Sequence, residues 1–322
     1  MTPSSAAAQD RTVARSKRAK ADAAALHRLV TGFSIEATPK QLAGTDSLPG
    51  VLPAGTRIYV PWLPRARVED AVSVCRELVA QGFCPVPHLA ARAIGSRARL
   101  EARLGDFSDA GARALLLIAG DRRRAAGPFA STQDVLDTGL LCRYGFDELG
   151  VAGHPEGHPV ADEGALIRAL RMKQGYTRDT GSTVWIVTQF AFAAAPVMAW
   201  LDRLRDEGIE LPVRIGLPGP ARPGTLLRYA LQCGVGSSSR LLAKRPDAVT
   251  RMLARWTPAG MLPALARHAA RNEKAAVAGI HVFPFGGLWK SIEFFTRLQA
   301  GSAEAGRTHL HSISFGSPER DL

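Results

Sequence analysis

Glu36, His88, Asp121, His154, His158 and Gln189 have side chains suited to proton transfer, charge stabilisation and recognition of a polar ring. Each lies at or just beyond the end of a short apolar run. A carboxylic acid beside an imidazole can give or take a proton when its pKa is brought towards the working pH. A second carboxylate can stabilise a cation that develops during reaction, and an amide can donate and accept at once. Taken singly, each residue also has a plain structural role. Glu36 could be an exposed loop carboxylate, His88 and His158 satisfied imidazoles, Asp121 the turn residue after Gly120, and Gln189 a hydrogen-bonding group at a rim. Taken jointly, polar side chains at the same end of successive strands are hard to obtain from packing demands alone.

The elements that would position them are legible from Thr31 onward, where short apolar, β-branched runs alternate with longer amphipathic patterns. The runs are Gly32 to Glu36, Arg57 to Trp62, Cys84 to Leu89, Ala114 to Ala119, Leu149 to His154, Thr183 to Gln189, Pro212 to Leu217 and Gly279 to Phe285. Such alternation is the signature of β-α units on a parallel sheet. Val68 to Ala80 carries the three-to-four apolar spacing of a one-sided helix, Ala195 to Glu207 stops at Gly208, and Ser131 suits the N-cap of a helix running towards Arg143. The longer gap between the seventh and eighth runs leaves room for extra helices around Pro223 to Cys233, Ser239 to Leu253 and Pro258 to Asn272. No glycine-rich phosphate turn follows an early run, which weighs against an open doubly wound sheet. The expectation is therefore an α/β fold: a single (β/α)8 TIM barrel over 29–300, with the extra helices between strands seven and eight. A basic tail over 1–28, at most a frayed helix, and a C-terminal tail over 301–322 would flank it. Active sites of such barrels lie at the C-terminal ends of the strands.

At 322 residues and 46% apolar, the chain can bury a core of this size, since the barrel takes roughly 250 residues. It has neither an uncharged apolar stretch of about 18 residues nor the apolar core of a secretory leader. The expected setting is cytoplasmic, without a membrane, and the expected assembly is a homo-oligomer. The formal charge of +12 is concentrated only between Arg11 and Arg28. Elsewhere the arginines are dispersed without interleaved aromatics, so a solvated surface is preferred to a nucleic-acid partner. Anionic ligands such as a dinucleotide or a polyglutamylated folate would profit from the same charge. Cys75, Cys84, Cys142 and Cys233 form no C-x-x-C pair and have no zinc-like spacing to histidine. No metal is expected, and the thiols are expected to be reduced and mostly buried.

Several segments carry a family resemblance. Phe33-Ser34-Ile35-Glu36-Ala37-Thr38-Pro39-Lys40 resembles the S-F-E-x-x-P-P-K opening strand of methylenetetrahydrofolate reductases. Pro87-His88-Leu89 resembles their P-H-L-T-C, and Ala119-Gly120-Asp121 their R-G-D. Val151 to Pro159 resembles V-A-G-Y-P-x-G-H-P, and Val187-Thr188-Gln189-Phe190 resembles I-T-Q-F. Gly216-Leu217-Pro218 and Ile280-His281-Val282-Phe283 are similar to strands seven and eight of that family. The likeness spans roughly residues 31 to 298, and its order along the chain is more specific than any one motif.

The resemblance implies FAD along the barrel mouth, with NADH or NADPH and a folate taking turns at the flavin. It implies that Glu36 exchanges a proton with the folate N10, that Asp121 stabilises an iminium cation, and that Gln189 holds the pterin with Phe190 beside it as a stacking surface. Trp62, His88, Gly120, Asp121, His154, His158 and, across a one-residue gap, Lys173 match cofactor-contacting positions. As a general acid near neutral pH, Glu36 would need a pKa raised above roughly 4.3. The chain departs from the family at Ala119 (arginine there), His154 (tyrosine), Trp62 (an aromatic hydroxyl), Pro61 (threonine) and Phe285-Gly286-Gly287-Leu288 (L-N-R). These departures keep two alternatives in view: direct hydride transfer between nicotinamide and folate without flavin, and a barrel that binds folate or flavin without turnover.

Overall fold

The computed structural model describes residues 3–43, 48–61, 67–233, 256–272 and 276–307. Eight parallel strands close into a barrel in chain order. They are β1 (Ser34–Glu36), β2 (Arg57–Val60), β3 (Cys84–Ala90), β4 (Ala114–Ile118), β5 (Glu148–Gly153), β6 (Thr183–Thr188), β7 (Val213–Pro218) and β8 (Val277–Phe283). Each expected run holds its strand to within a residue or two. The barrel is closed by β1 and β8, where Ser34 pairs with His281 and Ile35 with Val282. Strand residues alternate between two faces. Ile35, Ile58, Leu89, Leu115, Leu117, Ile186, Ile280 and Val282 face the apolar layer under the helices. Tyr59, Val86, Leu116, Trp185 and Val187 fill the interior as a second cluster. The interior is thus a packed core, closed across its width by the Trp185 indole N–H donating to the Tyr59 hydroxyl at 2.8 Å.

The outer helices are α1 (Pro3–Val30), α2 (Pro39–Leu42), α3 (Val68–Ala80), α4 (Arg97–Asp109), α5 (Thr132–Leu136), α6 (Leu140–Arg143), α7 (Glu163–Thr180), α8 (Ala194–Asp206), α9 (Pro223–Gln232), α10 (Leu262–Arg271) and α11 (Leu288–Arg307). Ser131 does cap a helix, its hydroxyl accepting from the Asp134 backbone while the Asp134 carboxylate reaches back to the Ser131 N–H. The helix expected to run to Arg143 is broken in two at Gly139, whose φ of 67° lies in the left-handed region that glycine tolerates.

Residues 3–28, expected as a tail or frayed helix, belong to the 28-residue α1. The alanine-rich composition favours a helix, and burial of Ala25, Leu29 and Val30 fixes its end to the domain. His27 Nδ1 lies 3.2 Å from the Gln299 carbonyl and 3.3 Å from Ser302 Oγ on α11, and Asp22 pairs with Arg267 of α10 at 3.4 Å. Helix α11 continues to Arg307, with Ser302 buried, so residues 301–307 extend a helix. The rest of the expected C-terminal tail, the helix expected over Ser239 to Leu253, and Trp62 fall outside the described residues. Cys75 is buried, but Cys84, Cys142 and Cys233 are exposed, contrary to expectation, because each sits at an element end. No helix among the described residues is long and apolar enough to cross a membrane.

Candidate functional site

Alternation along the strands delivers a polar layer above the Tyr59–Trp185 plug. Glu36 ends β1, His88 follows Val86 on the inner face of β3, and His281 holds the same face of β8. His88 Nε2 lies 3.5 Å and His281 Nε2 3.8 Å from Glu36 Oε1. His281 is fully buried, with its Nδ1 3.0 Å from Ser34 Oγ and its ring 4.4 Å from that of Tyr59. Ser34 Oγ also lies 3.4 Å from the Ile280 carbonyl. The closer contact has the Ser34 hydroxyl donating to Nδ1, so that Nε2 carries the ring hydrogen and presents it to the carboxylate, in line with the lowered Glu36 pKa. Among the described residues neither His88 Nε2 nor His281 Nε2 makes a well-formed hydrogen bond, so three polar atoms converge with capacity to spare.

The electrostatics correct the expectation for Glu36. Burial pushes its pKa up, but contact with His281 and the neighbouring His88 pull it further down, and the net shift is downward. Burial depresses His88 to about 4 against a smaller upward pull from Glu36, and it also lowers His281. At neutral pH the layer therefore holds a carboxylate between two neutral imidazoles, not a raised carboxylic acid.

Beside this layer, a groove of about 570 Å³ runs between the ends of β4 and β5 and helices α5 and α7, and Arg92, Ala119, His154, His158, Lys173 and Arg203 are among its lining residues. Lys173 lies on α7 and is only 8% exposed. Its ammonium makes no hydrogen bond or ion pair among the described residues, and burial pushes its pKa down to about 8. The His154 and His158 rings meet edge to face at 4.9 Å. His154 is held down at about 4 by burial first and then by His158 and Lys173 beside it. The Val160 N–H reaches His158 Nδ1 at 3.3 Å, which leaves Nε2 to carry the hydrogen in the neutral ring. Arg203 is paired with Glu163, and Asp162 already caps α7. The unspent positive charge of the groove therefore rests with Lys173 and Arg92.

Gln189 follows β6 at the same rim. Its Nε2 donates to the Cys233 carbonyl at 3.2 Å, while its Oε1 is buried and has no partner among the described residues. Although Cys233 is exposed as a residue, its thiol is pushed up to about 11, by desolvation against the surrounding protein first and then by the charges of Asp121 and Glu36. Gln189 thus touches Cys233 and the charges of Asp121 and Glu36 reach its thiol, which puts the three at one end of the barrel. Asp121 itself is exposed, directly after Gly120, where an added Cβ would come within 3.0 Å of Ala90 Cβ. Phe190, expected as a stacking surface, is 3% exposed and packs edge to face on Phe192, Phe283 and Phe285. Tyr229 and Phe285 are half-buried and stack at 4.2 Å, with Phe283 stacked on Phe285 at 5.7 Å and the Arg228 guanidinium 5.5 Å from the Tyr229 ring centroid.

Sequence reasoning placed His281 in a strand but not in the site. Its signal was a polar residue at an alternating position, between Gly279 and Phe283, in an otherwise apolar strand. Arg92 and Cys233 carried no comparable signal, because they reach the site through loops and a helix end.

No known family model matches the chain. Among solved structures, an uncharacterised protein from Clostridium thermocellum that binds two copies of 5-methyl-5,6,7,8-tetrahydrofolic acid superposes with a TM-score of 0.53 at 11% identity, over 84% of this chain and 96% of that one. A xylose isomerase domain-containing protein from Salmonella typhimurium gives 0.43 at 15% identity, over 85% and 97%. A putative phosphonomutase from Burkholderia cenocepacia gives 0.42 at 12%, over 87% and 96%. At these identities the likeness is one of fold, and the fold is the (β/α)8 barrel.

Proposed function

We propose that this chain is a methylenetetrahydrofolate reductase-like flavoenzyme interconverting 5,10-methylenetetrahydrofolate and 5-methyltetrahydrofolate, with NADH or NADPH as the partner reductant. The observation that carries this reading is the Glu36 carboxylate between His88 and His281, on one rim with the orphan Gln189 oxygen and beside a cationic groove. The folate ligand of the Clostridium thermocellum barrel supports the substrate class.

The groove suits FAD in size and charge, since small-molecule sites span about 300–1,000 Å³ and a buried, unpaired Lys173 ammonium calls for an anion. FAD bound there would supply the two-electron relay between nicotinamide and folate. Lys173 and Arg92 would hold its phosphates, with His154 and His158 against the adjoining groups. Gln189 Oε1 would accept from a pterin N–H, and the Asp121 charge would stabilise an iminium carbon. Glu36 would exchange the N10 proton. Its resting carboxylate form is the acceptor required when 5-methyltetrahydrofolate loses hydride and N10 closes the five-membered ring with release of a proton. In the reductive direction the same carboxyl must first be protonated.

Freshly purified protein should show a flavin spectrum, and Glu36→Gln should still bleach with NADH yet fail to pass hydride to methylenetetrahydrofolate. Normal folate turnover in that variant would refute the role of Glu36. Ala119 removes a cation from the groove that the family has, so a colourless preparation with full activity would establish direct nicotinamide-to-folate transfer instead.

A further inference from the structure

The end of the barrel opposite the mouth carries a second cavity, of about 260 Å³, lined by Gly32, Phe33, the 52–57 turn, Arg214 and Gln299. Arg57 opens β2 and Arg214 lies at the start of β7, so both guanidiniums enter from the N-terminal ends of the strands. No acidic residue lines this cavity. Arg57 gives one nitrogen to Glu148 at 2.6 Å and lies over the Trp185 ring at 5.0 Å from its centroid. Arg214 donates to the Gly32 carbonyl at 3.1 Å, a neutral partner. Burial lowers the Arg214 pKa, and the like charge of Arg57 lowers it further. The local balance is two cations against one carboxylate, and most of the five donors on each guanidinium have no partner among the described residues. The Gln299 side-chain amide, at the rim from α11, makes no hydrogen bond among the described residues.

A partly sheltered cation is costly without a counter-charge, and paired guanidiniums match the oxygens of a phosphate or carboxylate. We propose that this basal cavity is a binding site for a small oxyanion, a phosphate or carboxylate group of a compact metabolite, held by Arg57 and Arg214. Its size admits more than an isolated ion, and it is separated from the mouth by the Tyr59–Trp185 plug. The site is independent of the flavin and folate reading.

The test is a dose-dependent thermal shift of the full chain with inorganic phosphate in one arm and succinate in the other, ionic strength being held constant with sodium chloride. The expected result is saturable stabilisation by at least one of them, with phosphate alone indicating a phosphate-bearing ligand and succinate alone a carboxylate. Gln299→Glu, which puts a negative charge at the rim without touching a buried contact, should weaken the midpoint by about tenfold or more. Arg214→Gln should abolish the response, and Lys173→Met should leave it intact. Absence of saturation, an unchanged midpoint in Gln299→Glu, or loss of the response in Lys173→Met alone would each overturn the proposal.

Discussion

Ser34 and His281 face each other across the β1–β8 ladder and are joined at 3.0 Å by a buried hydrogen bond that fixes which imidazole nitrogen looks at Glu36. Ser34→Ala leaves the buried Nδ1 unpaired, a loss of about 1–3 kcal/mol. Chemical denaturation should register it, and two-dimensional NMR of the imidazole nitrogens should show tautomer exchange at His281. An unshifted His281 spectrum would contradict the assignment.

Acid stability follows from the depressed imidazoles. His88 and His154 titrate at about 4 in the folded chain, below the ordinary value of 6.5. The unfolded chain therefore binds more protons between those values, and stability present above about pH 6.5 is lost as pH falls towards 4. For buried His88 the linkage is worth up to about 3 kcal/mol. Melting curves between pH 7 and 4 should show the decline, and His88→Gln should flatten it.

Lys173 yields two effects of opposite sign. Its ammonium is buried and unpaired, with a pKa pushed down to about 8, so Lys173→Met should stabilise the flavin-free protein by about 1 kcal/mol or more at pH 7. The same change should weaken flavin retention. A variant that melts lower without flavin would show that the lysine has an unrecognised structural partner.

Gly286 lies where an added Cβ would sit 1.9 Å from the Pro220 carbonyl oxygen. Gly286→Ala must push the β8–α11 turn away from the segment after β7, displacing Phe285 from its stack on Tyr229. We expect a loss of about 2 kcal/mol, and a fall in folate affinity exceeding that in nicotinamide affinity. Equal affinities before and after would remove the mouth aromatics from substrate binding.

Strand positions were readable because a parallel barrel needs apolar runs bounded by turns, and that requirement is local. The placement of Glu36 and His88 at the ends of their strands was readable for the same reason. Phe190 was misread because its burial depends on Phe283 and Phe285, some ninety residues later, which no local pattern reports. Lys173 is a lysine in an amphipathic helix, which by composition means solvent. Only the family resemblance singled it out. The protonation of Glu36 was missed because its sign is set by two imidazoles from strands 3 and 8, and neither is near it in sequence.

The long first helix lies over the last two described helices, pinned through Asp22 and His27. It therefore works as a clasp across the seam where the barrel shuts, and the two sides of that seam carry Ser34 and His281. Trimming or tagging far from the rim can reach the carboxylate by this route: slack in the clasp would loosen the shortest strand, and with it the footing of Glu36.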